Sequence, residues 1–127
     1  MKIRPFEAVG DVTFGMSCDA VTNTLGLPVR DGLSRKAEME LHYPNACYRF
    51  DSNSTLVEVT VDATVIEFGA ISVPFKVLVP FLKQQDATVF EKVGFVVSPE
   101  LGIALDPAFS SWVTVFSRQR LQQWQGI

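Results

Sequence analysis

One stretch decides the fold: Ala46 to Asp62, which reads ACYRFDSNSTLVEVTVD. Apolar and polar side chains alternate along both arms of this stretch, with a period of two that is typical of a sheet buried on one face only. Four turn formers, Asp51 to Ser54, separate the two arms. We therefore predict a hairpin with Tyr48 opposite Val57 and Ala46 opposite Val59. The apolar face of the hairpin holds Tyr48, Phe50, Val57, Val59 and Val61.

Length and composition indicate a single globular domain spanning residues 1–127. Hydrophobic residues make up 47% of the 127 positions and charged residues 20%, which excludes a disordered chain. The formal net charge is −3, and no stretch clusters lysine and arginine as a phosphate-tracking surface requires. We expect no nucleic-acid partner. A mildly acidic surface suits a basic protein partner, although such a charge is also common in soluble domains.

The start of the chain, MKIRPFEAVGDV, lacks the apolar segment of a secretion signal, and no run is long enough to span a membrane. These patterns predict a cytoplasmic protein without a membrane contact. Because disulfides are rare in that compartment, Cys18 and Cys47 are expected to be free thiols.

Local signals predict two helical regions and a short terminal helix. Ser17 is a good N-cap for a helix from Cys18 to Leu25, which Gly26 ends. A second region runs from Ser72 to about Asp86, and Pro80 either kinks this helix or marks its start. A terminal helix after residue 117 is expected to dock on the body of the protein. The loop and strand predictions are a loop at 29–38 and strands at 11–14, 40–43, 64–68, 93–98, 101–106 and 112–116.

The order of these elements is repeated. Phe14-Gly15 and Phe68-Gly69 each precede a helical region that is followed by three predicted strands. We interpret residues 11–62 and 64–117 as two helix-plus-three-strand halves, with chance recurrence as the alternative. The predicted fold is α+β, with a mostly antiparallel sheet, helices on one face and the other face open.

A short motif carries a resemblance. Residues 15–28 follow the order G-M-[ST]-x-x-x-V-x-x-x-L-G-x-P. This motif resembles the helix start of small domains of the SmpA/OmlA type and of the beta-lactamase-inhibitor-protein-like type. The resemblance implies a helix packed on a meander and a role in binding other proteins. Those families are exported, whereas this chain lacks an export signal. A small, acidic, meander-rich cytoplasmic domain also resembles bacterial immunity proteins that neutralise a toxin.

Few residues have the spacing of a catalytic or metal site. His42 and Cys47 could meet across a turn as a nucleophile and its base, but no third residue is seen to orient the imidazole. Cys18 at a helix start could be a reactive thiol or a small core residue. Two cysteines and one histidine without close spacing do not indicate zinc, and no phosphate-binding loop is present. We therefore predict no catalytic residue, no metal and no cofactor.

The open face of the predicted sheet is the candidate interface. Val113 and Val115 suit the core, so Trp112 and Phe116 point outward. The alternative is the reverse parity, with both aromatic residues buried, since both faces of that strand are apolar. Exposed aromatic residues beside a charged strip are typical of a binding hot spot. The predicted partner-binding residues are Glu40, His42, Arg49, Glu58, Thr60, Asp62, Trp112 and Phe116.

These observations favour a protein-binding domain, most concretely a cytoplasmic immunity protein or inhibitor that neutralises a toxin by direct binding. The alternatives are a small-ligand-binding or catalytic domain that uses His42 and Cys47, and a structural homodimer whose open sheet faces pair.

Overall fold

The computed structural model describes all residues, 1–127, as three α-helices and thirteen strands. The helices are α1 (Cys18–Leu25), α2 (Leu78–Gln85) and α3 (Leu121–Gln125). The first strands are β1 (Ile3–Arg4), β2 (Ala8–Val9), β3 (Val12–Thr13), β4 (Arg30–Leu33), β5 (Met39–Tyr43), β6 (Ala46–Phe50) and β7 (Leu56–Asp62). The others are β8 (Val65–Phe68), β9 (Ile71–Pro74), β10 (Phe90–Lys92), β11 (Phe95–Ser98), β12 (Ile103–Leu105) and β13 (Trp112–Phe116). None of the helices has the length and apolar character that a membrane crossing requires.

Eight strands form the main sheet, in the order β10-β11-β12-β13-β7-β6-β5-β4, and every pairing is antiparallel. The α+β prediction with an antiparallel sheet is confirmed. Two meanders, β4–β7 and β10–β13, meet where β7 pairs with β13. Each meander has four strands, so the predicted pair of helix-plus-three-strand halves is not confirmed.

The main core lies between one face of this sheet and two of the helices. Val21 of α1 and Leu78 and Leu82 of α2 are fully buried in the same cluster as Val59 and Val115. Because alternate residues of a strand point to opposite faces, the remaining polar residues of β7 and β13 lie on the other face. The prediction that this second face is open is wrong, because α3 packs there on a smaller cluster formed by Val97, Ala104 and Phe116.

The central hairpin has a five-residue loop rather than the predicted four. The carboxylate of Asp51 accepts hydrogen bonds from the backbone N–H groups of Asn53 and Thr55, both at 3.0 Å, and closes the loop. A bulge next to Phe50 adds a further residue. Tyr48 therefore pairs with Val59, two positions from the prediction. A shift of two residues leaves Val59 and Val61 on their predicted face, whereas the bulge turns Leu56 to the core face opposite Phe50.

One further prediction is wrong, and two others are refined by the structure. Residues 30–33, predicted as loop, form the exposed edge strand β4. The strand predicted at 64–68 is confirmed as β8, which pairs with β9 in a separate two-stranded sheet and does not join the main sheet. A 3₁₀ turn, Phe75–Val77, leads into α2. Pro80 therefore lies in the first turn of the helix, where its missing N–H removes no helical hydrogen bond.

Asp86 joins the end of α2 to the second meander. Its buried carboxylate accepts hydrogen bonds from the hydroxyl groups of Thr88 and Ser98 and from the N–H of Glu100. Burial alone disfavours the ionised form, but these hydrogen bonds outweigh it and lower the pKa of Asp86 below its ordinary value. The ionised carboxylate therefore stabilises the fold.

We predict that Asp86→Asn lowers the free energy of unfolding at pH 7 by about 1–3 kcal/mol, because an amide cannot accept all of these hydrogen bonds. A carboxyl whose pKa is lowered in the folded state stabilises that state above the unfolded pKa, near 3.9, and loses this effect as the pH falls through the folded pKa. The variant should therefore lose less stability than the wild type on acidification.

Urea unfolding between pH 7 and pH 2 measures both effects. Asp11→Asn, at an exposed position, is the matched control and should behave as the wild type. An acid dependence that Asp86→Asn leaves unchanged would contradict the assignment.

Candidate functional site

The structure places all eight predicted partner-binding residues on the second face of the sheet. One row across the strands is Glu40, Arg49, Glu58 and Phe116, the next is His42, Cys47, Thr60 and Thr114, and the third is Asp62 and Trp112. The parity predicted for β13 is confirmed, since Val113 and Val115 are buried in the core on the opposite face.

The prediction that Phe116 binds a partner is wrong. Its side chain lies on the predicted face but is fully buried. The ring of Trp124 in α3 stacks on it, with 5.6 Å between centroids, and the ring of Phe6 packs edge-on at 6.2 Å. Phe116 therefore cannot contact a partner. Trp112, at the other end of β13, remains 38% exposed.

A largely buried charge network occupies the centre of this face. It consists of Glu38, Glu40, Arg49, Glu58 and Arg120. Arg49 donates from Nε to Glu40 Oε2 at 2.6 Å and from Nη1 to Glu58 Oε2 at 2.9 Å. Arg120, from the segment that leads into α3, donates to both oxygens of Glu38, at 2.6 and 3.1 Å. The network thus connects strands β5, β6 and β7 to the terminal helix.

The network fixes the ionisation of Glu40 and Arg49. Burial disfavours charge at Glu40, but the hydrogen bond and the positive charge of Arg49 outweigh it and hold the pKa of Glu40 below its ordinary value. Burial likewise disfavours charge at Arg49, and the hydrogen bond to Glu40 overcomes it and raises the pKa of the guanidinium. Both groups are therefore charged at neutral pH.

Trp124 is positioned by this network. Its indole Nε1 donates to Glu58 Oε1 at 2.9 Å, while Phe95 meets the ring edge-on at 5.3 Å. The indole is therefore held at its polar end by a carboxylate, on one face by the stacked ring of Phe116 and in an edge-on contact by Phe95. It separates two depressions on the face, each with a volume of about 420 Å³.

The first depression, which we call the Trp112 notch, lies between α3 and the loop that precedes β13. Phe109 and Trp112 stand at its outer side, and they are 66% and 38% exposed. Its lining consists of Arg49, Glu58, Thr60, Phe95, Leu105, Asp106, Phe109, Trp112, Thr114 and Trp124. Four aromatic side chains around a polar floor make a concave, largely apolar site of the kind that proteins use for binding.

The second depression lies on the other side of Trp124. It includes Arg35 and Lys36 from the β4–β5 connection, together with Val93 and Ile127. The side chains of Arg35 and Lys36 carry positive charge, whereas the carboxylate of Asp106 in the Trp112 notch carries negative charge. The two depressions therefore differ in the charge that they offer a ligand.

His42 and Cys47 also meet on this face, opposite each other in β5 and β6. Cys47 Sγ lies 3.9 Å from His42 Nε2, and the same nitrogen lies 3.1 Å from Glu40 Oε1. A nucleophile relay requires the two imidazole nitrogens to face different partners. A single nitrogen that donates to the carboxylate cannot also take the thiol proton. Burial also raises the pKa of the Cys47 thiol, which disfavours the thiolate.

Several residues of the face were missed in the sequence. The aromatic side chains of Phe95, Phe109 and Trp124 come from three separate segments, and no spacing brings them together before the fold is known. Arg120 sits beside the terminal helix, where an arginine ordinarily faces solvent, yet it is buried. The predicted absence of a disulfide is confirmed, since both cysteines are free. Comparisons with protein families, curated proteins and solved structures find no match to this chain.

We predict that Arg49→Met destabilises the protein by about 3 kcal/mol, because it leaves Glu40 and Glu58 partly buried without their cation. Adding Glu58→Gln should recover part of this loss, since it removes one uncompensated charge. Urea unfolding of the two single variants and the double variant measures the coupling. A double variant whose loss equals the sum of the single losses would show that Arg49 does not stabilise the fold through Glu58.

Proposed function

We propose that this protein is a protein-binding domain that receives its partner on the Trp112 notch. The observation that carries the proposal is the pair of exposed aromatic side chains, Phe109 and Trp112, beside a concave polar floor. Tryptophan and other aromatic residues dominate the binding energy of protein interfaces, and hot spots lie in well-packed pockets. Exposed aromatic rings in such a position lose water contact when a partner covers them.

The rigid floor of the notch supports the same function. Arg49 is held by Glu40, Glu58 and Thr60, and Thr60 and Thr114 hydrogen-bond to each other at 2.9 Å. A preformed floor reduces the conformational entropy lost on binding. Nη2 of Arg49 has no hydrogen-bond partner within the protein, so this side of the guanidinium is available to a partner.

Charge indicates the chemistry of the partner. Arg49 is neutralised by its two carboxylates, whereas Asp62 is exposed beside Trp112, its pair in the sheet. Asp106 lines the notch, and the whole chain carries a net charge of −3. The proposed partner therefore presents an apolar side chain that enters the notch and lysine or arginine side chains that meet Asp62 and Asp106.

The specific form of the proposal is a cytoplasmic immunity protein or inhibitor that blocks a toxin or an enzyme by direct binding. The motif at residues 15–28, which resembles that of the inhibitor-like domains, supports a binding role, and α1 begins within it. The arrangement at His42 offers less support for the catalytic alternative, because its one nitrogen serves both neighbours. A toxin reading frame adjacent to the gene would supply the partner for testing.

We predict that Trp112→Ala and Phe109→Ala each leave the fold intact and weaken partner binding by at least about 2 kcal/mol, roughly 30-fold, which is the hot-spot scale. Calorimetry with the partner, or rescue of growth on co-expression with the toxin, measures the effect. Leu33→Ala is the matched control, because Leu33 is an apolar residue on the edge strand β4 that is as exposed as Phe109.

Two outcomes would contradict the proposal. Unchanged binding by both aromatic variants would move the interface away from the notch. Loss of binding in Leu33→Ala alone would place the interface on β4, where an edge strand can pair with another chain. A stable dimer of the purified protein that Leu33→Ala disrupts would favour the homodimer instead.

A charge reversal tests the acidic rim separately. We expect Asp62→Lys to slow association with a basic partner, and the effect should shrink with added salt, because rim charges steer the encounter. Asp11→Lys changes the net charge equally at an exposed position in the N-terminal segment and should have little effect. Equal slowing by both variants, measured by stopped flow, would show that only net charge matters. Glu58, predicted as a rim charge, is 8% exposed and is unsuitable for this test.

A further inference from the structure

Glu40, His42 and Cys47 bring three different metal-ligating atoms together on the second face of the sheet. A carboxylate oxygen of Glu40, the imidazole Nε2 of His42 and the Cys47 Sγ all lie within 4.8 Å of one another. Their positions follow from the β5–β6 pairing, which sets His42 directly opposite Cys47 and leaves Glu40 two residues away on the same side of β5. We propose that these three residues bind a divalent zinc ion.

Two of the three separations lie close to those of a tetrahedral ion, and the third, between Glu40 and Cys47, is within 4.8 Å. Zinc bonds of about 2.0–2.3 Å to nitrogen, oxygen and sulfur place tetrahedral ligand atoms about 3.4–3.6 Å apart. The observed distances are 3.1 Å from His42 Nε2 to Glu40 Oε1 and 3.9 Å from His42 Nε2 to Cys47 Sγ. Small side-chain rotations that move the ligand atoms by a few tenths of an ångström would adjust both of these distances. The convergence on a single imidazole nitrogen, which argues against a nucleophile relay, is the arrangement that metal coordination requires.

Arg49 orients one of the ligands. Its Nε donates to Glu40 Oε2 at 2.6 Å, so the other oxygen of the carboxylate remains turned toward His42. Metal-ligating carboxylates are commonly fixed in this way by a hydrogen bond to the oxygen that does not bind the metal. Arg49 is therefore a positioning residue for the site. Its positive charge is matched by Glu58, which lies 2.9 Å away.

The ligand chemistry selects the ion. A thiolate and a neutral imidazole favour zinc over magnesium and calcium, which prefer oxygen ligands. On binding, the S–H bond of Cys47 breaks, a sulfur–zinc bond forms and one proton is released to solvent. His42 binds through the Nε2 lone pair, with its proton on Nδ1, and Glu40 is already ionised. Three protein ligands leave a fourth position for water, since the side chains of His42 and Glu40 are 22% and 16% exposed.

Cobalt provides the direct test, because Co²⁺ replaces zinc and reports its ligands by absorption. We expect the purified protein to bind one Co²⁺ per chain, with a thiolate-to-cobalt band in the near ultraviolet and the strong visible bands of tetrahedral cobalt. Zn²⁺ should displace the cobalt stoichiometrically, and Mg²⁺ should not. Zn²⁺ should also raise the thermal midpoint, because only the β5–β6 pairing of the folded state brings the three ligands together.

Matched variants locate the site. Cys47→Ser should remove the thiolate band and weaken zinc binding more than about 100-fold, a larger effect than removal of an orienting residue produces. Cys18→Ser is the control, because Cys18 packs against the main core rather than on this face, and it should leave binding unchanged. His42→Gln, at a half-exposed position, provides a second ligand variant in case the replacement of buried Cys47 impairs folding.

The proposal is overturned if the wild type shows no thiolate band with Co²⁺, or if the band persists in Cys47→Ser or disappears in folded Cys18→Ser. It is also overturned if His42→Gln, shown to be folded by circular dichroism, binds zinc as tightly as the wild type. These results would not bear on the proposal that the Trp112 notch binds a partner, because the metal site and the notch are tested with different variants.

Discussion

The pairing of β7 with β13 is the contact on which the rest of the structure depends. Five residue pairs join these strands, from Trp112 with Asp62 to Phe116 with Glu58, across a separation of about fifty residues in the chain. Because loop-closure entropy grows only slowly with loop length, burial of a few valines can compensate for bringing such distant strands together. Val59, with Val115 directly opposite, lies at the centre of that burial. Without the pairing of β7 with β13, the two meanders would be separate four-stranded sheets with exposed edges.

The same pairing builds the second face. It aligns the polar residues of the first meander with the aromatic residues of β13, so that Thr60 meets Thr114 and Asp62 meets Trp112. Neither meander alone contains both the charged floor and the aromatic side of the Trp112 notch. The candidate interface is thus a property of the joined sheet rather than of a local motif.

Features that depend on local patterning could be predicted from the sequence. The α1 bounds follow from the Ser17 cap and the Gly26 stop, and β13 follows from its run of apolar residues. The facing of the central hairpin was also predictable, although its register was not. The Asp51 loop and the bulge together add two residues, and this even shift preserves the facing of residues 58–62, whereas Leu56, between the loop and the bulge, joins the core.

Features that depend on contacts between distant segments could not be predicted. The β4 strand has no buried residue, so nothing in its composition distinguishes it from a loop. Phe116 has the predicted orientation, but its burial depends on Trp124, which only the fold brings onto it. The convergence of Glu40 with His42 and Cys47 depends on the register of β5 and β6, and a scan for cysteine and histidine spacing misses the carboxylate.

Stability alone does not account for the charge network at the centre of the second face. A half-buried ion pair often contributes no more to stability than well-packed apolar residues of the same size, so such residues at these positions would preserve the sheet. Apolar residues could not, however, hold the neighbouring carboxylates and the Trp124 indole in fixed orientations. Arg49 holds one oxygen of Glu58 and one oxygen of Glu40. The second oxygen of Glu58 fixes the indole of Trp124 in the wall of the notch, and that of Glu40 faces His42. One guanidinium therefore sets the geometry of both proposed sites, which explains why an arginine occupies a position that an apolar residue could fill.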